Sequence, residues 1–389
     1  MVGFLGFLFS QLKVFSLQPK SLPSMTDTEA AIILNMLPQV GPVRVRRLTE
    51  RFESVSAILG ANGSELRAVE GIGPEVSSVI NSWQEHTDLD AELALVEKAG
   101  ARVLTQADSE YPELLKEIHD PPIVLYILGK LEERDQRNGI GIVGTRKASH
   151  YALESAKKLG YQLAYSGLTV YSGLARGIDT AAHQAALAAN GRTVAVLGSG
   201  LAHIYPEENI PLAEKIVENQ GAVISEFPMG VTPTKQTFPK RNRIISGCSF
   251  GLLVVEAGQN SGALISAREA GDQGRSLYAV PGRIDHPGTL GSNRLIQQGA
   301  KLVIDAADIL SDLPMIYAVP PELSRSRPKV ELTDEDLLVY EAIGEDPTPV
   351  DTIIARSGLP PARVSSRLLA LELGRHVRAQ PGNRFIKLI

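Results

Sequence analysis

Gly139-Ile140-Gly141-Ile142-Val143 is a short apolar run that ends on Gly144-Thr145-Arg146-Lys147-Ala148-Ser149, and a helical pattern follows from Tyr151 to Tyr165. The same succession recurs along the chain. Leu168–Tyr171 ends at Ser172-Gly173, Thr193–Leu197 at Gly198-Ser199-Gly200, and Ala222–Ser225 at Glu226. Leu252–Val255 ends at Glu256-Ala257-Gly258 and Ser276–Val280 at Pro281-Gly282. Runs of β-branched and apolar residues alternating with amphipathic helices mark a parallel sheet covered on both faces. Right-handed crossovers make a doubly wound, Rossmann-like α/β sheet the expected solution.

In such a sheet the strand ends share one edge, where ligands bind. Here that edge is rich in glycine and base. Gly144, Gly173, Gly198, Gly200 and Gly262 permit tight turns that expose N–H groups, and helix N-termini add positive partial charge. Arg146 and Lys147 follow the first run and Arg176 the second. Phe238-Pro239-Lys240-Arg241-Asn242-Arg243 supplies three more cations, with no acid between Glu226 and Glu256, and Arg294 comes later. Any one of these arginines is more economically read as an ion pair or helix cap. As a set on one edge they point to a polyanion. GxGxxG before a helix and GxxxxGK[ST] are both absent, which argues against a dinucleotide site and an ordinary ATPase.

Composition bounds the rest. The 389 residues carry 43% apolar and 21% charged side chains, enough for a core, and a net charge of −5 makes any nucleic-acid surface local. A single cysteine, Cys248, excludes an internal disulfide framework and a cysteine zinc cluster. No cofactor is expected. The apolar run Val2–Phe9 is too short for a membrane span and lacks basic residues before it. Residues 1–24 read as a disordered extension before Met25, and the protein as cytoplasmic.

Flanking zones complete the plan. Leu37-Pro38-Gln39-Val40-Gly41-Pro42 and Val69-Glu70-Gly71-Ile72-Gly73-Pro74 each place a glycine turn before a helix that opens on proline. This resembles a tandem helix-hairpin-helix (a SAM-like all-α unit) over 25–100, with Arg44, Arg46, Arg47 and Arg51 after the first turn. Phosphate contact and simple packing are equally good readings of it. The expected domains are 25–100, 101–315, a proline-bearing linker over 316–332, and a terminal unit over 333–389. That last unit reads helix, helix, helix, hairpin, and resembles a winged helix. Arg363 and Arg367 lie on its third helix and Arg378 and Arg384 in its wing. DNA and a protein partner are equal candidates for its surface.

GIVGTRKAS (141–149), YSGLARGIDTAAH (171–183), VAVLGSGL (194–201), ISEFP (224–228), FPKRNRIISG (238–247), VVEAGQNSGALISAREA (254–270), AVPG (279–282) and GSNRLIQQGA (291–300) occur in this order. Together they closely resemble the DNA-processing protein A (DprA/Smf) family of natural transformation. The resemblance implies a homodimer that binds single-stranded DNA on a Rossmann-like domain. It further implies displacement of single-stranded-DNA-binding protein and loading of RecA recombinase. The family's G-[ST]-R motif matches Gly144-Thr145-Arg146, and its basic FPxRNR motif matches Phe238 to Arg243. Residues Gly144, Thr145, Arg146, Lys147, Ser149, Arg176, Phe238, Lys240, Arg241, Asn242, Arg243 and Gly262 are the expected DNA-binding set. Phe238 and Tyr205 could each stack a base, whereas Tyr171 reads as sheet packing.

Catalysis has weaker support. Asp179 and His183 read as a helix-stabilising i,i+4 pair, and Ser172, Ser199 and Ser261 lack a GxSxG elbow. Glu256 could act as a base in a nucleotide-processing hydrolase related to the lysine-decarboxylase-like (LOG) family, but the PGGxGTxxE motif is absent. It reads better as an acceptor for loop N–H groups, and the protein as a non-enzyme.

Overall fold

A computed structural model describes residues 25–219, 221–312, 333–344, 346–373, 376–380 and 382–387. The expected extension and linker lie outside these. The described residues fall into two compact units, 25–312 and 333–387.

The larger unit is built on a nine-stranded sheet. Its strands are β1 (Arg102–Thr105), β2 (Val124–Gly129), β3 (Gly139–Val143), β4 (Thr169–Ser172), β5 (Arg192–Val196), β6 (Ala222–Ser225), β7 (Gly251–Val254), β8 (Ser276–Ala279) and β9 (Lys301–Leu302). Their order is β1-β2-β6-β5-β4-β3-β7-β8-β9, parallel from β6 to β9. All six expected strands are present within a residue or two. Three more strands extend the expected sheet. β1 and β2 add an antiparallel edge beside β6, and β9 closes the other side. The chain runs outward from β3 through β4 and β5 to β6, then returns to β7 on β3's other flank. That reversal makes the β3–β7 junction a topological switch point, where the loops diverge and leave a crevice.

Alternation along the buried strands explains the two helical layers. Leu252 and Val254 point to one face, where Ile244, Ile245, Ala263, Ala267 and Ala270 cover them. Leu253 and Val255 point to the other, against Ala156, Leu159, Leu163, Ile178 and Ala182. Both neighbours are helical, so nearly every residue of β3 to β7 is buried, and the strands read as continuous apolar runs.

The helices from Asp27 to Lys98 do not stand apart from this sheet. One apolar cluster runs from Ala30, Ile33, Leu48 and Ile80 into Val124, Tyr126, Leu197 and Val223. Asn35 Nδ2 donates to the Glu226 carbonyl at 2.9 Å, and Glu92 accepts the Met229 amide at 2.8 Å. Three of the four arginines after the first hairpin turn donate to main-chain carbonyls. Arg44 reaches Gly71 and Gln39, Arg46 reaches His119, and Arg47 reaches Glu70. Those side chains tie the two hairpin turns to one another and the helical zone to residue 119.

The smaller unit has helices Asp334–Ala342, Val350–Ser357 and Pro361–Leu373, with a three-stranded sheet ordered β10 (Thr348–Pro349), β12 (Arg384–Lys387), β11 (Val377–Gln380). This is the expected winged helix. Arg363 and Arg367 of its third helix both pair with Glu335, and Arg367 also lies 3.7 Å from Asp336. The acidic first helix thus partly neutralises the helix that would enter a groove.

Candidate nucleic-acid interface

The crevice at the β3–β7 junction is a cleft of about 460 Å3. Its walls come from four places: the turn after β3, the loop and helix start after β4, the loop and helix start after β7, and one face of the helix Thr237–Gly247 with Lys235 before it.

The turn after β3 is held from both sides. Thr145 N–H donates to the Glu256 carbonyl at 2.8 Å. Behind it, Gly177 has φ +77°, a left-handed conformation in which a Cβ would strike the Thr145 carbonyl and come within 2.9 Å of that of Arg146. Glycine at 177 is therefore what lets the β4 loop lie against the Gly144-Thr145-Arg146 turn. Ser149 ends the turn by capping the helix His150–Tyr165, its Oγ accepting from Ala152 N–H at 3.1 Å. Both Ser149 N–H and its hydroxyl donate to the Glu256 carboxylate.

The helix Thr237–Gly247 sorts the FPKRNR segment by its 3.6-residue period. Phe238, Arg241, Asn242 and Ile245 face the cleft at spacings of three, four and seven. Lys240 is exposed and does not line the cleft. Arg243 faces away, and its guanidinium is buried between Glu226 at 2.5 Å and Asp120 at 2.9 Å. Of the three cations expected from this segment, only Arg241 lines the cleft.

Arg241 is 4% exposed and forms the cleft floor. It donates to the Val196 carbonyl at 2.5 Å, while its Nε has no partner among the described residues. Gly173 gives it room, because a Cβ there would overlap the guanidinium. Burial, with Arg146 adding repulsion, brings its pKa down to about 10 against the attraction of Asp179. It remains a cation at neutral pH. Above it the exposed Arg146 lies 4.9 Å from the centroid of the Phe238 ring, and Tyr205 meets the same ring at 6.0 Å and 49°. Gly144, Thr145, Asp179, Ser261, Gly262 and Lys235 also line the cleft. Lys235 was not among the expected residues; only its place two residues before the helix reveals it.

The remaining expected residues lie elsewhere. Lys147 is exposed beyond the turn, and its N–H donates to Thr145 Oγ. Arg176 is exposed, is held by Glu208 at 2.6 Å, and lines a small neighbouring hollow with Arg146, Tyr205 and Phe238. Arg294 is not at this cleft. It lines a separate cavity of about 660 Å3 beside Arg268 and Arg275.

The polar groups weighed for catalysis are spent on structure. The Glu256 side chain is 1% exposed and engaged by Ser149. Ser172 Oγ donates to the Ile142 carbonyl and Ser199 Oγ to that of His203. Tyr171 is fully buried, its hydroxyl on the Asp135 carbonyl. Asp179 and His183 do not pair with each other as the helical spacing suggested. Asp179 accepts from Gly173 and Ala175 N–H, shaping the loop after β4, whereas His183 Nδ1 meets Thr193 Oγ at 2.7 Å.

His183 makes acid sensitivity calculable. Burial, reinforced by the Arg241 charge, holds its imidazole down at about 3, against 6.5 when free. Between these values the unfolded chain binds a proton that the folded one does not. The stability from this group is complete above pH 6.5 and is lost as pH falls toward 3, at up to ~1.4 kcal/mol per pH unit. His183→Gln is expected to flatten the fall of melting temperature between about pH 7 and about pH 5. An unchanged slope would mean that other groups carry the acid response.

The family described as DNA recombination-mediator protein A matches residues 102–314, a DprA winged helix domain matches 324–383, and a helix-hairpin-helix motif matches 34–91. Protein Smf of Synechocystis is 36% identical over 396 residues, spanning 93% of this chain and 99% of that protein. Protein Smf of Escherichia coli is 43% identical over 286 residues, 72% of this chain and 76% of its own length. The X-ray structure of DNA processing protein A from Streptococcus pneumoniae aligns with a TM-score of 0.65 at 33% identity, covering 75% of this chain and 99% of that one.

Proposed function

Because the chain belongs to the DNA recombination-mediator protein A family, we propose that the cleft at the β3–β7 junction grips single-stranded DNA by its phosphates and that the protein hands the strand to a recombinase. One observation carries this reading. Arg146 and the buried Arg241 line the same cleft and repel each other, and Lys235 stands beside them. Asp179 is the single carboxylate in that lining. An anion between the guanidiniums relieves the repulsion and gives the orphaned Arg241 Nε a partner.

The cleft is concave and small, which suits the phosphates of a single strand better than the girth of a duplex. Phe238 and Tyr205 at its mouth offer aromatic surface to unpaired bases, the usual companion of a cationic groove for single strands. Contacts to phosphate carry no sequence information, so binding is sequence-independent. A strand held by its backbone keeps most base edges available for pairing, the state a RecA filament needs. Two protomers would present two clefts and raise avidity, helping to displace single-stranded-DNA-binding protein. Loading of RecA, that displacement, the homodimer, a role in natural transformation and a cytoplasmic setting rest on the family. No helix of the described residues is long and apolar enough to cross a membrane.

We read the protein as a binding mediator and not an enzyme. The base that a hydrolase would require, Glu256, is committed to fixing Ser149. Fluorescence anisotropy with oligo-dT tests the reading. Affinity is expected to fall by at least tenfold between roughly 50 and 200 mM salt, as phosphate neutralisation releases counterions. A flat salt dependence would overturn it.

A further inference from the structure

The exposed loop after β8, from Pro281 to Thr289, is unusually well tied. Asn293 holds Gly282 by both its amide groups, each bond 3.0 Å. The Thr289 hydroxyl lies 2.6 Å from the Arg283 carbonyl and 2.8 Å from that of His286. Gly288 N–H donates to His286 Nδ1 at 3.1 Å, and the Tyr151 hydroxyl donates to the Pro281 carbonyl at 3.1 Å. These ties do not bury a core. Arg283, Asp285 and His286 are exposed, Ile284 is 88% exposed and Tyr151 55%. What they hold open is a cavity of about 510 Å3 walled by Tyr151, Pro281, Arg283, His286 and Thr289. A rigid frame around a largely apolar hollow is preorganised for a ligand.

The turn 144–149 serves both this cavity and the phosphate cleft. Its first three residues line the cleft and Ser149 lines the cavity. Glu256 fastens both ends, by its carbonyl to Thr145 and by its carboxylate to Ser149. A Cβ at Gly288 of the loop would stand 3.5 Å from that carboxylate.

We propose that this cavity receives one unstacked nucleobase of the strand whose phosphates occupy the neighbouring cleft. The proposal rests on the reading that the cleft takes single-stranded DNA. The chemistry of the walls suits a flat heteroaromatic ring. Tyr151 and Pro281 present apolar faces. His286 Nδ1 already accepts the Gly288 amide, so the ring proton is on Nε2, a donor for a base carbonyl oxygen. Arg283 pairs with the exposed Asp285 at 2.7 Å, so the two charges beside this subsite balance and it offers a phosphate no net cation.

The experiment compares the full chain's affinity for oligo-dT with that for an oligonucleotide of equal length carrying a run of abasic sites. The wild type is expected to prefer oligo-dT about tenfold. Tyr151→Ala is expected to reduce that preference severalfold, leaving what Phe238 and Tyr205 contribute, and Tyr151→Phe, which keeps the ring, to retain it in full. Arg146→Glu should weaken both ligands alike. Equal affinity of the wild type for the two ligands would overturn the subsite whether or not any variant folds. A preference undiminished in Tyr151→Ala would overturn it as well, and would leave the cavity to a partner's apolar side chain. If the wild type bound neither ligand, the cleft reading itself would fall and take this subsite with it.

Discussion

Arg146→Glu is expected to lower affinity for oligo-dT on the order of 100-fold, for any base sequence. The substitution removes a charge-assisted phosphate contact, ~1.5–3 kcal/mol, and sets a carboxylate against the incoming phosphates. The slope of log affinity against log salt should shrink by about one. Folding should scarcely change. Arg146 is exposed, and its contact with Phe238 at 4.9 Å is worth ~0.5–1 kcal/mol. Lys235→Glu should act in the same direction, since Lys235 lines the cleft and is exposed. Arg241 is a poorer probe, because it is buried and donates to the Val196 carbonyl, so its reversal would disturb the fold as well. Wild-type affinity in folded Arg146→Glu would remove the cleft as the DNA site.

Asp135→Ala is expected to cost roughly 3–5 kcal/mol of stability, lowering the melting temperature on the order of 10 °C, while leaving DNA affinity of the folded protein unchanged. Asp135 is 0% exposed and receives Arg192 Nε and Nη2 at 2.5 Å, Thr169 Oγ at 2.7 Å and Glu132 N–H at 2.7 Å. Its removal takes the nearest counter-charge from the Arg192 guanidinium, 3% exposed, whose Glu132 carboxylate partner is more distant at 3.3 Å. The pair ties the helix Glu133–Arg137 to the starts of β4 and β5, the sheet edge opposite the cleft. Asp135→Leu combined with Arg192→Met should recover most of the loss, because no lone charge is then buried. A loss below about 1 kcal/mol in Asp135→Ala would mean that the pair's desolvation cancels its attraction.

Several structural features were legible in the chain because they are local. Apolar runs of four or five residues, each followed within two residues by glycine or an acid, marked the six parallel strands from Gly139 to Ala279. The winged helix followed from helical spacing and a hairpin in the same way. β1 and β9 escape because they are short edge elements with partial burial, whereas β2 is missing from the expected strands although residues 123–128 carry the same apolar signal as the others. The i,i+4 pairing expected of Asp179 and His183 fails for a geometric reason. Residues four apart share a helix face, yet a loop and a strand can each claim one of them first.

The amino-acid sequence by itself determined the sheet, its two helical layers and the edge on which glycine and cationic side chains gather, because each depends on periodicity within short segments. Only the tertiary structure decided which cations face the cleft. Arg241 turns inward and stays charged beneath Arg146, Arg243 is neutralised by Glu226 and Asp120, and Arg294 belongs to another cavity. The physical reason is that a charge's availability depends on its carboxylate partners. Those lie 17 and 123 residues from Arg243, beyond the reach of any local pattern.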